Sequence, residues 1–362
     1  MFQKFFATGL AMLCLAGAWS QDSSVVIVEE PAPRPVISGY VDAYYRFNFA
    51  DAKNANSGAG SFNNYTSFTN SQNSFELGMA SVRLEHSAGK ASVVADLGFG
   101  KRAEEFSYND AKTMLAIKQA YITYAFTDKF KLTAGSWGTH VGYEVVDPYL
   151  NRNYSMSYMF SFGPFFHTGL KAELSAGKSG FMLGIANPTD LKTANFQQKM
   201  LIAQYSLAAS EKVKLFLNYQ GGKLSESTNL QQVDAVITAA ISDKFSIGYN
   251  GTVQSRKIKD AVTGKYGDGN SWWGSALYLN IDPAPKVGFT LRAEYFDDKK
   301  NVFGLFDGSV FATTLSANLK AGPLTFIPEF RVDSGKKELF VKENGSGTKS
   351  TASLLLAAIY KF

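Results

Sequence analysis

Three histidines, His86, His140 and His167, are the only imidazoles in the chain, and they bound the chemistry it can perform. Nucleophilic hydrolysis needs a hydroxyl or thiol beside a base that a third group orients. His167 is followed by Thr168, but no Gly-x-Ser-x-Gly elbow presents a nucleophile. His140 precedes Glu144 and Asp147 closely enough to imitate an acid-and-imidazole proteolytic centre, yet no paired-histidine spacing supports a zinc site. Asp260, Asp268 and Asn270 share one polar stretch without the spacing of a calcium loop. The single cysteine, Cys14, excludes a thiolate cluster. Catalysis is therefore not expected, and neither is a metal or other cofactor.

The polar residues that remain are organised for a passage. The stretch 138–165 is dense in Tyr, Phe, Met and Pro, too apolar for a connection exposed to water. Long loops of this kind usually carry function. It is expected to fold back into an enclosing barrel, with Tyr143, Glu144, Asp147, Arg152 and Tyr154 at a constriction. A lid over neighbouring loops or a second protomer is the alternative. The barrel wall would supply Asp42, Arg46, Lys171, Glu173, Arg292, Glu294, Glu329 and Arg331, each on the polar side of an alternating segment. Loop carboxylates facing wall guanidinium groups would set a transverse field that orients polar solutes, while mixed charge avoids a single-sign barrier. Read more plainly, the wall charges are only the solvated face of a barrel.

The elements that position these residues are strands. In 36–49, Ile37, Val41, Ala43, Tyr45, Phe47 and Phe49 alternate with Ser38, Tyr40, Asp42, Tyr44, Arg46 and Asn48. The chain ends the same way: Leu354, Leu356, Ala358, Tyr360 and Phe362 fall on one face of a segment that runs to the last residue. A terminal strand with a bare apolar face is a liability in water but a requirement in a closed transmembrane barrel, where it pairs with the first strand and faces lipid. Short turns such as 87–90, 127–129 and 242–244 alternate with long polar stretches: 50–74, 101–115, 138–165, 187–196, 221–230, 255–271, 297–309 and 334–348. Seven turns and eight loops join about sixteen strands (fourteen to eighteen) in an all-β, antiparallel transmembrane barrel. The segments near 75–86 and 116–126 alternate poorly, which suggests bulges. A large soluble β-sandwich or solenoid also alternates, but the rhythm of the connections and the terminal aromatic favour the barrel.

Residues 1–20 read as a secretory signal, with Lys4 before an uncharged apolar run and Ala18-Trp19-Ser20 at the cleavage site. Residues 21–35 form a short proline-rich lead, and 36–362 form the barrel. Export of this kind, together with the barrel, would place the protein in the cell outer membrane. Aromatic content of 14%, with 29 Phe and 18 Tyr, suits the girdles of such a wall. A net charge of +5 is too small to argue for nucleic acid.

Gly142-Tyr143-Glu144-Val145-Val146-Asp147-Pro148, then Asn151, Asn153-Tyr154-Ser155, Ser157-Tyr158 and His167-Thr168-Gly169, resemble the OmpL-like β-barrel porins of Gram-negative outer membranes. The resemblance runs from Ser38-Gly39-Tyr40-Val41-Asp42 to Tyr360-Lys361-Phe362 and implies a passive pore without a catalytic motif. The expected function is porin-type diffusion of small hydrophilic solutes through a lumen narrowed by 138–165. The alternative is a sealed barrel that anchors partner-binding loops. Expected partners are membrane lipid, small polar solutes, the barrel-assembly machinery through Tyr360 and Phe362, and further copies in a homo-oligomer such as a trimer.

Overall fold

The computed structural model describes residues 34–51 and 61–362. The expected signal at 1–20 and all but the end of the lead at 21–35 lie outside the described residues. Sixteen strands close into one antiparallel barrel. They are β1 (Val36–Asn48), β2 (Ser74–Ala88), β3 (Ala91–Phe99), β4 (Ile117–Ala125), β5 (Phe130–Gly138), β6 (Phe166–Ala176), β7 (Ser179–Ala186) and β8 (Met200–Ala208). There follow β9 (Val213–Lys223), β10 (Thr228–Ala240), β11 (Phe245–Ile258), β12 (Asn270–Ala284), β13 (Val287–Asp298), β14 (Gly308–Ala321), β15 (Leu324–Gly335) and a closing strand, Ser350–Lys361. A two-residue ladder, Phe340–Val341 with Gly347–Thr348, decorates the last loop. Each strand pairs with its neighbours in sequence, and β1 pairs with both β2 and the closing strand, so no barrel edge is left open.

Closure is fixed by backbone geometry at the rim of short turns. Tyr40 lies opposite Lys361 and Asn48 opposite Ser353. Beyond this ladder, Gly39 and Phe362 exchange both backbone hydrogen bonds, at 3.1 and 3.0 Å. The Phe362 ring packs where a Gly39 side chain would stand: a Cβ there would come 2.6 Å from the ring and 2.3 Å from the Ser81 carbonyl oxygen. The outer surface carries exposed Phe75, Leu183, Val233, Leu354 and Leu356, the belt a lipid-facing wall requires.

Two differences from the sequence reading have physical causes. The expected loop 221–230 is mostly strand, because Gly221, Gly222 and Lys223 stay in the ladder opposite β10. The inner face of the closing strand is not polar throughout: Leu355, Ala357 and Ile359 point inward and are buried with Tyr40, Tyr44 and Tyr154. Apolar residues on both faces mean that something solid packs inside. The bulges expected near 75–86 and 116–126 are present: the ladder slips between Val41 and Ala43 against β2, and between Asp96 and Leu97 against β4. These bulges re-aim side chains toward the interior. The first leaves the backbone N–H of Met79 free to donate to Asp42 at 3.0 Å; the second turns Lys118 inward.

Candidate functional site

The segment that fills the interior is 139–165, between β5 and β6. Its first leg crosses from the β9–β11 wall. His140 Nε2 lies 3.1 Å from the Tyr219 carbonyl, Gly142 N–H donates to Asp234, and Tyr143 N–H donates to Asn250. The Tyr143 ring stacks on Tyr278 with centroids 4.1 Å apart. Glu144 then accepts from Arg292 at 2.5 Å and from the Tyr278 hydroxyl at 3.2 Å. By Asp147 the chain has reached the opposite wall, where Tyr40 donates to it at 2.9 Å. The return leg runs along β12 to β15. Arg152 pairs with Asp282 through both terminal nitrogens, at 3.1 and 2.7 Å, and donates to Thr290. Asn153 meets Ser316, and the Tyr154 N–H meets Glu329 at 2.9 Å.

A loop inside a barrel has no ladder to satisfy its backbone, so the wall must do so. The wall charges serve that need. Glu294 accepts the N–H groups of Tyr158 and Met159 at 3.0 and 2.9 Å, at the start of a helical turn α2 (Tyr158–Phe162) that Ser157 caps. Arg292 and Arg331 donate to the carbonyls of Ser155 and Met156 at 2.8 and 2.7 Å. Arg331 is held in turn by Asp333. Asp42 accepts the Tyr154 hydroxyl.

This arrangement corrects the picture of loop carboxylates facing wall guanidinium groups across water. Glu144 and Arg292 are in direct contact and both buried, and Arg152 is closed on Asp282. Arg46 serves another loop: it donates to the carbonyls of Phe62 and Ser71 in the first long loop. Lys171 and Glu173 form a pair of their own on the wall. They pair at 3.5 Å, Lys131 joins Glu173 at 3.6 Å, and the Lys171 ammonium lies over Trp137.

Two residues missed from sequence belong to the same site. Lys118, turned in by the β4 bulge, bridges Asp147 at 2.5 Å and Asp96 at 3.1 Å and donates to Ser81. Its only sequence signal was the broken alternation of that strand. Arg102, on a short helix α1 (Lys101–Phe106), is wholly buried and donates to the carbonyls of Val146 and Tyr154. Its guanidinium also lies over the rings of Tyr154 and Phe68. Nothing in the charge pattern of 101–115 singles it out.

His140 packs on the other loop-flanking histidine rather than on Glu144 or Asp147. His140 and His167 lie ring against ring, 5.0 Å apart, and His167 meets the Thr139 hydroxyl. Burial pushes the His140 imidazole down to about 4, with a smaller push from Lys171. In the loop after β7, burial pushes the Asp190 carboxyl up to about 6, against the backbone N–H groups of Phe166 and Phe165 that favour its charge.

Space remains on both sides of the crossing segment. A cavity of about 1140 Å³ lies at the rim of long loops, lined by Glu105, Tyr108, Phe165, Asp190 and Arg256 among others. A smaller chamber of about 320 Å³ lies deeper, beside Arg83, Gln119, Asp147 and Tyr149.

Comparison with known proteins fits this architecture. The model of the family described as "Putative beta-barrel porin-2, OmpL-like" matches residues 36–362. No curated sequence matches the chain. The outer membrane channel DcaP of Acinetobacter baumannii aligns with a TM-score of 0.60 at 12% identity, over 91% of this chain and 98% of that one. OmpT of Vibrio cholerae, an outer membrane protein in its in-vitro folded trimer form, aligns with a TM-score of 0.60 at 10% identity, over 92% and 100%. A refined porin structure aligns with a TM-score of 0.54 at 10% identity, over 91% and 100%. At these identities the likeness is one of fold.

Proposed function

This chain belongs to the OmpL-like family of β-barrel porins, and from that premise we propose that it passes small hydrophilic solutes by passive diffusion, with 138–165 narrowing the route. It is a porin of the outer membrane, and its family and fold point to a channel rather than an enzyme. A sixteen-stranded wall is wide enough to enclose water. The observation that carries the proposal is the crossing segment itself: it is hydrogen-bonded from Asp234 round to Asp42 and leaves chambers above and below. Tyr143, Glu144, Asp147, Arg152 and Tyr154 hold it in place. The wall residues Asp42, Arg292, Glu294, Glu329 and Arg331 anchor it, while Lys171 and Glu173 pair with each other. Export through residues 1–20, recognition of Tyr360 and Phe362 by the assembly machinery, and a trimer like the OmpT form belong to the same reading.

A second reading has its own support. Arg292, Tyr154 and Met156 are almost completely buried, so the crossing plane is packed like a protein core. A sealed barrel anchoring outer loops would look the same at that level. Liposome swelling with uncharged sugars of increasing size separates the two. Passive diffusion gives rates that rise linearly with gradient and fall with solute size. An anchor gives swelling no faster than protein-free liposomes.

A further inference from the structure

The two chambers share a single side chain. Phe165 lines both the outer cavity and the deeper one. It is itself buried and sits in a cluster of rings: Phe68 at 5.3 Å, Phe160 at 5.4 Å and Phe106 at 6.0 Å, the last nearly parallel to it. Tyr108 meets it edge-on at 6.1 Å from the outer side. Its position is set by the backbone. Asp190 accepts the N–H groups of Phe165 and Phe166 at 2.7 and 3.0 Å through one oxygen and the Tyr108 hydroxyl through the other.

We propose that Phe165, with Phe106 and Phe160 behind it, is an apolar septum between the two chambers and the main barrier to ions in this channel. This rests on the channel reading above. Water in a narrow apolar neck is unstable, and an ion crossing it must shed hydration without gaining a partner. The charged residues along both chambers cannot offset this, because those nearest the septum are already engaged: Asp190 by two backbone N–H groups, and Asp147 by Lys118 and Tyr40. Asp190 is a positioning residue for the barrier; it holds Phe165 and does not line the neck with a free charge.

The test is planar-bilayer recording of the full-length mature protein and three variants: Phe165→Ser, Phe165→Leu and a deletion of 143–160. A polar side chain should wet the neck and raise unitary conductance by roughly threefold or more, whereas an apolar one of similar bulk should leave it near the wild-type value. Heat-dependent gel mobility verifies that each variant is a folded barrel. Wild-type conductance in folded Phe165→Ser, while the deletion conducts strongly, overturns the septum and leaves the channel intact. An equal rise in Phe165→Ser and Phe165→Leu also overturns it, because size rather than polarity would then be at work. No conductance in any form, the deletion included, sinks the channel reading itself.

Discussion

Glu144 and Arg292 lie 2.5 Å apart with water excluded from both, so neither can be removed alone without leaving a buried charge. Replacing Arg292 by Met should cost about 3–5 kcal/mol of local stability, the usual penalty for orphaning one member of a buried pair. Because Arg292 also holds the Ser155 carbonyl, the loss should appear as release of the crossing segment rather than unfolding of the barrel. Limited proteolysis should then cut between 143 and 160 in folded Arg292→Met and spare the wild type. His140 gives a pH dependence. Its folded value of about 4 lies below the ordinary 6.5, so a released segment takes up a proton before the docked one does. The hold is full above pH 6.5 and is lost progressively as pH falls through about 4. Hydrogen exchange of residues 139–145 should accelerate over that window. His140→Gln, which has no imidazole to protonate, should flatten the response.

At the scale of elements, the strands and the loop were not equally legible. Strand alternation gave the faces of Asp42, Arg46, Arg292 and Glu329 because a wall between water and lipid must alternate. It failed where a third environment exists. Leu355, Ala357 and Ile359 are inward and apolar because they back a packed segment, and a two-solvent rule has no place for that. The density of aromatic residues in 138–165 marked it as unlike a solvated loop, but its partners come from strands right round the barrel and no local pattern encodes them. Lys118 shows the cost of a bulge to such reasoning: one extra residue in β4 moves a lysine inside and sets two carboxylates around it. Lys118→Met should leave Asp147 without its cation, while Arg83 still pairs with Asp96 at 3.3 Å. We expect the segment near Asp147 to loosen, read as faster hydrogen exchange at 145–150, with strand exchange unchanged.

The whole molecule depends on one seam. Every strand but the first and last pairs with sequence neighbours, so closure rests on β1 meeting the closing strand and on the Gly39–Phe362 exchange beyond it. A side chain at Gly39 would collide with the Ser81 carbonyl and the Phe362 ring. Gly39→Val should therefore slow assembly and lower the temperature at which the folded band disappears in heat-modifiable gel electrophoresis. An unchanged band would show that the seam tolerates a shifted terminus. The sequence made this seam readable in outline, since a terminal apolar strand needs a partner, while the close packing of Phe362 on a glycine is visible only once register is known. The proposed function has solutes passing through the barrel by a route set by the crossing segment. Single-channel recording of the mature protein beside a variant lacking 143–160 tests it most directly. Discrete open steps should appear in the wild type and enlarge severalfold in the variant, as expected when a constriction is removed from a wide barrel. Folded, inserted barrels that conduct equally in both forms, or in neither, would contradict it.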